Sequence, residues 1–291
     1  MLLNMVCYNS AGGDAIPYFT YSGRCMLKND GNGNWRIGFI TSGVFIPSTD
    51  MEIDLFLCGA GAGGQSGTKT VAENAYGKGG NDGGQSIKKT GYRKYAGHGG
   101  GGGYTVTHKK ITLIKNVEYI VVIGAGGAKD SAGGQSSFGT YIALGGDGAV
   151  ATSNTSVNGG SNGSPGQGMT TREFEEETGE LYSGAGGAGG TYSSGEYPGG
   201  AGGAGGYTDD TKGGGTYGDP TTTSYRSGGP GDVSETWGLG GGRGGNAGSS
   251  ASGGGGGGGI GAGGGGGANG GAAGGAGAQG IVIIRNARVT V

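Results

Sequence analysis

Between Gly253 and Gly267 only Ile260 and Ala262 interrupt glycine, and this run is one of several. Gly184–Gly190, Gly199–Gly206 and Gly270–Gly280 are likewise almost pure glycine and alanine. Tracts of this kind remove most of the folds open to a chain. Each glycine inside an α-helix costs about 1 kcal/mol relative to alanine, which excludes bundles and coiled coils. Collagen needs a strict Gly-X-Y period and abundant proline, whereas this chain has neither, with 6 prolines beside 84 glycines in 291 residues. Composition alone would read as low-complexity disorder. Flexible linkers, however, mix glycine with serine, and here the partner is alanine.

A chain without Cβ atoms can form an extended helix of three residues per turn and ~3.1 Å rise, with every N–H and C=O pointing outward. Ordering it costs ~1–2 kcal/mol per residue, and each lateral hydrogen bond returns a net ~0.5–1.5 kcal/mol. One such helix does not hold alone, but a lattice in which each has several neighbours does. The tracts therefore predict packed polyglycine II helices.

The rest of the chain reads as strands. Tyr18–Leu27, Trp35–Ile46 and Met51–Cys58 are rich in aromatic and β-branched residues, and Ile53, Leu55 and Leu57 share one face by alternation. The run from Asn29 to Asn34 is a hairpin turn. Tyr104–Ile114 and Phe138–Leu144 are further strands, and Val117–Ile123 is apolar on both faces, as in a fully buried strand. The closing run Ile281–Arg285 would aggregate if left free, so it pairs with strands of the N-terminal half. The fold expected is mostly β: a jelly-roll-like antiparallel β-sandwich with an inserted polyglycine II lattice and little or no α-helix. Its parts are an attachment segment over 1–17, a core of 18–144 plus 281–291, and a glycine-rich insertion over 145–280.

Charge and motifs narrow the function. A net charge of −2 without a basic stripe gives no footprint for nucleic acid. No apolar run approaches the ~20 residues of a membrane span, and Met1–Ser10 lacks the charged and apolar parts of a secretory signal. Cys7, Cys25 and Cys58 are too few for a disulfide framework; free core thiols are expected, with a Cys7–Cys25 bridge as the alternative in an oxidising setting. Gly59–Gly64 fits a dinucleotide fingerprint, but no helix follows to aim its dipole at a phosphate. Asp30, Asn32 and Asn34 have calcium-loop spacing, yet Trp35 stands where that loop needs glycine. His98 and His108, with Cys58, are too few for zinc. Glu173, Glu175, Asp209 and Asp210 are acids that nothing in the sequence pairs. The expectation is no catalytic residue, metal or cofactor.

The segments that interrupt glycine are rich in Tyr, Ser, Thr and Asn, the vocabulary of binding loops. The candidate contact residues are Phe174, Tyr182, Tyr192, Tyr197, Tyr207, Tyr217, Tyr225 and Trp237. Capping of the lattice by tyrosine is the competing explanation. The run Arg172–Glu177 reads as a solvated loop, with a helical turn capped by Thr170 or Thr171 as the alternative.

The ordered motifs Gly43–Pro47, Ile53–Gly61, Tyr119–Gly127, Gly134–Gly139 and Gly280–Arg285 resemble the glycine-rich domain of phage tail-fibre and prophage proteins and of some bacterial surface proteins. The architecture is also similar to the polyglycine-bearing sandwich of receptor tyrosine kinase ectodomains and to phage tail-tip adhesins that display variable loops. The resemblance implies a virion protein, assembled in the host cytoplasm, that recognises a host cell-surface glycan or protein. Its implied partners are other virion tail proteins and copies of itself, as in a trimer. A purely structural decoration, baseplate or bacterial surface scaffold is the alternative.

Overall fold

A computed structural model of the chain describes residues 16–67, 97–146, 172–187, 227–247, 252–268 and 271–288, with 189, 206, 207, 212 and 215. Among these residues, ten strands form two antiparallel five-stranded sheets. The first contains β1 (Phe19–Tyr21), β4 (Gly43–Pro47), β7 (Tyr119–Val122), β8 (Ser136–Phe138) and β9 (Tyr141–Ala143), in that order. The second has the order β2 (Cys25–Gly31), β3 (Asn34–Phe39), β10 (Ile281–Asn286), β5 (Met51–Cys58), β6 (Thr105–Leu113). The last strand thus lies between β3 and β5, as its apolar sequence required.

The sandwich core fills with alternate residues of both sheets, including Phe19, Phe39, Phe45, Leu55, Phe138, Val282 and Ile284. Ile281 and Ile283 point to the other side of β10 and enter a second apolar cluster. Burial on both faces explains why this strand is continuously apolar.

Four strand expectations change. Tyr18–Leu27 and Trp35–Ile46 each divide between the two sheets, because the chain crosses over at Ser22–Arg24 and again at Ile40–Ser42. The crossovers lock together: Ile40 N–H donates to Arg24 O at 2.8 Å, and a Cβ on Gly23 would lie 2.8 Å from Ser42 O. Phe138–Leu144 is a hairpin, turning at Gly139 with φ +55°. Val117–Ile123 is buried on one face only; Ile120 is 62% exposed. The Asn29–Asn34 turn is as expected: Asn32 and Gly33 both have positive φ, as a two-residue hairpin loop needs.

At one end of the sandwich, strands run on into glycine tracts. Residues 59–67 continue β5, 97–104 lead into β6, 124–130 follow β7, and 271–280 lead into β10. The amides of Gly61, Gly64 and Gly67 donate to Ala278, Gly275 and Ala272. Those of Gly59, Ala62 and Gln65 donate to Tyr104, Gly101 and His98, and those of Ala60 and Gly63 to Gly134 and Ser131. Every third residue meets the same neighbour, which is the period of polyglycine II. The same run accepts bonds from Gly127 and Asp130, from Gly264 and Gly267, and from Gly146. It is therefore surrounded by six stretches of chain. Residues 261–268 are enclosed in the same way, and 183–189, 227–232, 241–247 and 252–259 extend the array. A Cβ on Gly61 would sit 1.9 Å from Ala262 O, and one on Gly263 1.9 Å from Gly100 O. Glycine is needed there because backbones touch. The lattice draws on 59–67 and 97–104 as much as on residues after 145.

Candidate functional site

Strand alternation sets the outer face of the second sheet. Near the lattice it is apolar, with Ile40, Phe56, Cys58, Ile281 and Ile283. One step further along, register places Arg285 between Arg36 and Asp54. Two arginines directly opposite each other repel, so this row needs acids above it.

Segment 172–183 supplies them. A single 3-10 turn, Glu173–Glu175, follows Arg172, and Glu173 N–H is bonded to Glu180 O across the loop at 2.9 Å. Glu173 accepts from Arg36 Nη1 at 3.0 Å and from Tyr182 OH at 3.3 Å. Arg285 pairs with Asp54 at 3.1 Å and with Glu176 at 2.7 Å, and its guanidinium lies 4.0 Å from the Phe174 ring centroid. Asp30 completes the row by taking Arg36 at 2.9 Å and Arg288 at 2.7 Å. Phe174 and Glu175 have φ of +54° and +61°, conformations that cost ~1–3 kcal/mol each and are held only where surroundings impose them.

The loop also closes the second apolar cluster. Trp237 lies against Gly38, where a Cβ would come within 2.7 Å of the indole, and Trp237 Nε1 donates to Tyr182 OH at 3.0 Å. Trp237, Tyr182, Glu173, Arg36 and Asp30 thus form one connected polar chain beneath the loop. Burial holds the Glu173 carboxyl above the usual carboxylate range, against the pull of Arg36.

Between this loop, Glu235–Thr236 and the arginine row lies a polar pocket of about 260 Å³. Glu180 is in its wall, 4% exposed, with Oε2 accepting the Thr236 N–H at 3.2 Å and Oε1 without a partner. An orphaned buried polar atom costs ~1–3 kcal/mol. Burial first, and Glu173 as a like charge, push the Glu180 carboxyl upward, while Ser234 and Thr236 oppose this. Arg288 Nε, in the same wall, is also unbonded. Among the described residues no group of three or more His, Cys, Asp or Glu is placed to hold a metal ion.

The structure redistributes the candidate contact residues. Phe174, Tyr182 and Trp237 are 1%, 0% and 2% exposed and build the frame under the pocket, so they present no surface to a partner. Their aromatic character reflects packing on the outer face of the second sheet, with Phe56, Ile281 and Ile283. Tyr207 is partly exposed, and its carbonyl accepts from Leu181 N–H at 2.9 Å. Tyr192, Tyr197, Tyr217 and Tyr225 lie outside the described residues, as do Thr170, Thr171, Asp209, Asp210 and residues 1–15. Arg172–Glu177 is a docked turn with Glu173 and Phe174 buried, not a solvated loop. The six amides of Gly59–Gly64, which a nucleotide fingerprint would offer to phosphate, are all given to neighbouring tracts or strands. Cys25 is disulfide-bonded, contrary to the free-thiol expectation; Cys7, the partner weighed for it, lies outside the described residues. Cys58 is free and buried, with its thiol pushed up to about 12 by that burial.

Sequence reasoning missed Arg36, Arg285, Arg288, Glu180 and Glu235. The one signal was a charged Arg285 ending an apolar strand beside an acidic run with no evident target.

Two antiparallel sheets extended by a hydrogen-bonded glycine lattice define a glycine-rich β-sandwich protein with a polar pocket on one outer face. The chain belongs to the glycine-rich domain family, whose match spans residues 79–287 and includes β6 to β10 and most of the lattice. No curated protein matches it. No helix among the described residues is long and apolar enough to cross a membrane.

Proposed function

We propose that the chain is a recognition protein of a virion tail fibre or tail tip, binding a host surface receptor through loops held on the glycine lattice. The observation that carries this reading is the enclosure of residues 59–67 and 261–268 by hydrogen-bonded neighbours. Loops anchored to so stiff a frame lose less entropy on binding. The Tyr/Ser/Thr/Asn composition of the intervening segments supports it further. The disulfide at Cys25 suits a protein that works outside a reducing cytosol. Binding, not catalysis, is the role we assign: Glu173 and Glu176 are tied to arginines, which removes them as a free acid–base pair. Because Phe174 and Tyr182 belong to the frame, the test should spare them. Replacing 191–197 and 208–226 by Gly-Ser segments should abolish staining of bacterial cells by the labelled chain. Staining that survives the replacement would refute loop recognition and favour a structural tail, baseplate or surface scaffold.

The same reading includes contact with further copies of the chain. The outer face of the first sheet exposes Ile120, Ile142 and Leu144 at 62%, 47% and 55%, joined by Val122 and flanked by Val44 and Ile46. Contiguous apolar surface beyond a few hundred Å² marks an interface. The five strands of this sheet contain no charged residue, so a second copy can oppose it without repulsion. Light scattering should show an oligomer at micromolar concentration that Ile120→Lys reduces to monomer. A wild-type monomer at 100 µM, by order of magnitude weaker than the ~1 µM of a −8 kcal/mol association, would contradict self-association.

A further inference from the structure

The two sides of the sandwich, where an edge strand of one sheet lies over an edge strand of the other, are not protected alike. On one side β9 has three residues, and β6 is interrupted by a bulge at the exposed pair Lys109–Lys110, where Lys110 has φ +58°. Short edges, lysines and bulges all discourage pairing with another chain. On the other side β1 also has three residues, but β2 has seven. Its far half has Lys28, Asp30 and a register shift between Asn29 and Gly31, whereas Cys25–Leu27, nearer the lattice, has neither charge nor bulge.

Backbone groups are open there. Ile40 N–H donates to Arg24 O at 2.8 Å. By antiparallel alternation Met26 and Lys28 then exchange bonds with β3, and Leu27 turns its N–H and C=O to the open edge. Those two groups have no partner among the described residues. Leu27 and Cys25 are half-buried and pack against the sandwich core, so the margin is apolar as well as unpaired. Such an edge needs a cover.

Cys25 indicates what covers it. It is disulfide-bonded. The chain has three cysteines, and Cys58 is free and buried, which leaves Cys7. Ile16, where the described chain begins, packs against the same core. From Cys7 to Ile16 an extended chain reaches about 30 Å at ~3.3 Å per residue, more than the ~24 Å of a seven-residue strand. Leu2, Leu3, Met5, Val6 and Tyr8 supply apolar side chains, and Asp14 is the only charged side chain of residues 1–15.

We propose that residues 1–15 form a strap over the β1–β2 side of the sandwich, held by a Cys7–Cys25 disulfide and released by a dithiol reductant. Two electrons from the dithiol break the S–S bond, each cysteine sulfur takes up a proton, and the dithiol becomes its own disulfide. While the bridge holds, the strap keeps the Cys25–Leu27 edge from pairing with another chain. The strap stands independently of the recognition reading.

The test uses the full chain purified without reductant. Trypsin separates the three cysteines into peptides 1–24, 25–28 and 37–69. Mass spectrometry should find 1–24 joined to 25–28, in a chain that is not covalently dimeric. Amide exchange at Leu27 should be slow in the oxidised chain and about tenfold faster after dithiothreitol, with β5 and β10 still protected. Chymotryptic cleavage after Leu3 and Tyr8 should accelerate likewise. Cys7→Ser, which leaves β2 intact, should reproduce both effects without reductant, and unshifted Trp35 and Trp237 emission would confirm that it folds. A free Cys25, a disulfide joining two copies, or Leu27 exchange and cleavage that reduction leaves unchanged would overturn the proposal.

Discussion

At the scale of the residue, glycine here is defined by what a Cβ would strike. Gly263 faces Gly100 O, which a Cβ would approach to 1.9 Å, whereas Ala262 next to it is fully buried and accommodated. Gly263→Ala should therefore destabilise the chain by about 3 kcal/mol or more, since the obstacle is backbone and not a side chain that can move. Ala262→Gly should cost only about 1 kcal/mol, by analogy with the glycine–alanine difference in backbone entropy. Chemical denaturation of the pair measures both, and equal effects would mean that the close contacts are not made. Glu180 makes a second residue-scale prediction. Its folded pKa is raised, so the folded state holds the proton more tightly than the unfolded one. Stability is then greatest below the ordinary carboxylate pKa and is lost as pH rises through the folded value. Glu180→Gln cannot ionise, so its melting temperature should gain on the wild type between pH 4 and pH 7. A difference independent of pH would show that Glu180 is not held in this environment.

At the scale of the element, the second sheet is covered on both faces, and the outer cover is a loop anchored by Trp237, Tyr182 and Phe174. Trp237→Ala should cost about 3–5 kcal/mol and open the 172–180 loop to proteolysis before global unfolding. Cleavage no faster than in wild type would contradict the docking. Much of this level was legible in the sequence. Alternation gave Ile53, Leu55 and Leu57 their common face, and the apolar Ile281–Ile284 called for pairing with strands of the N-terminal half, which β3 and β5 supply. The crossovers at Ser22–Arg24 and Ile40–Ser42 were not legible, because they depend on contacts between two segments distant in sequence. The pocket was hidden for a related reason: only strand register brings Arg36 opposite Arg285, and that pairing explains the acids at 173 and 176. The same limit made Phe174, Tyr182 and Trp237 look like surface residues, since an aromatic residue in a polar segment carries no sign of which way it points.

At the scale of the whole molecule, sandwich and lattice are continuous. Strands β5, β6, β7 and β10 change from pleated to three-fold geometry where side chains give way to glycine, and the sheet's hydrogen bonds continue as lateral bonds in three dimensions. The sandwich supplies the nucleus that no glycine helix has by itself. Loop recognition depends on that frame being rigid. The most direct test is amide hydrogen exchange resolved to peptides covering 59–67 and 253–268. The account predicts protection in these tracts approaching that of β5 and β10. Exchange there at unstructured-chain rates, with the strands still protected, would contradict it.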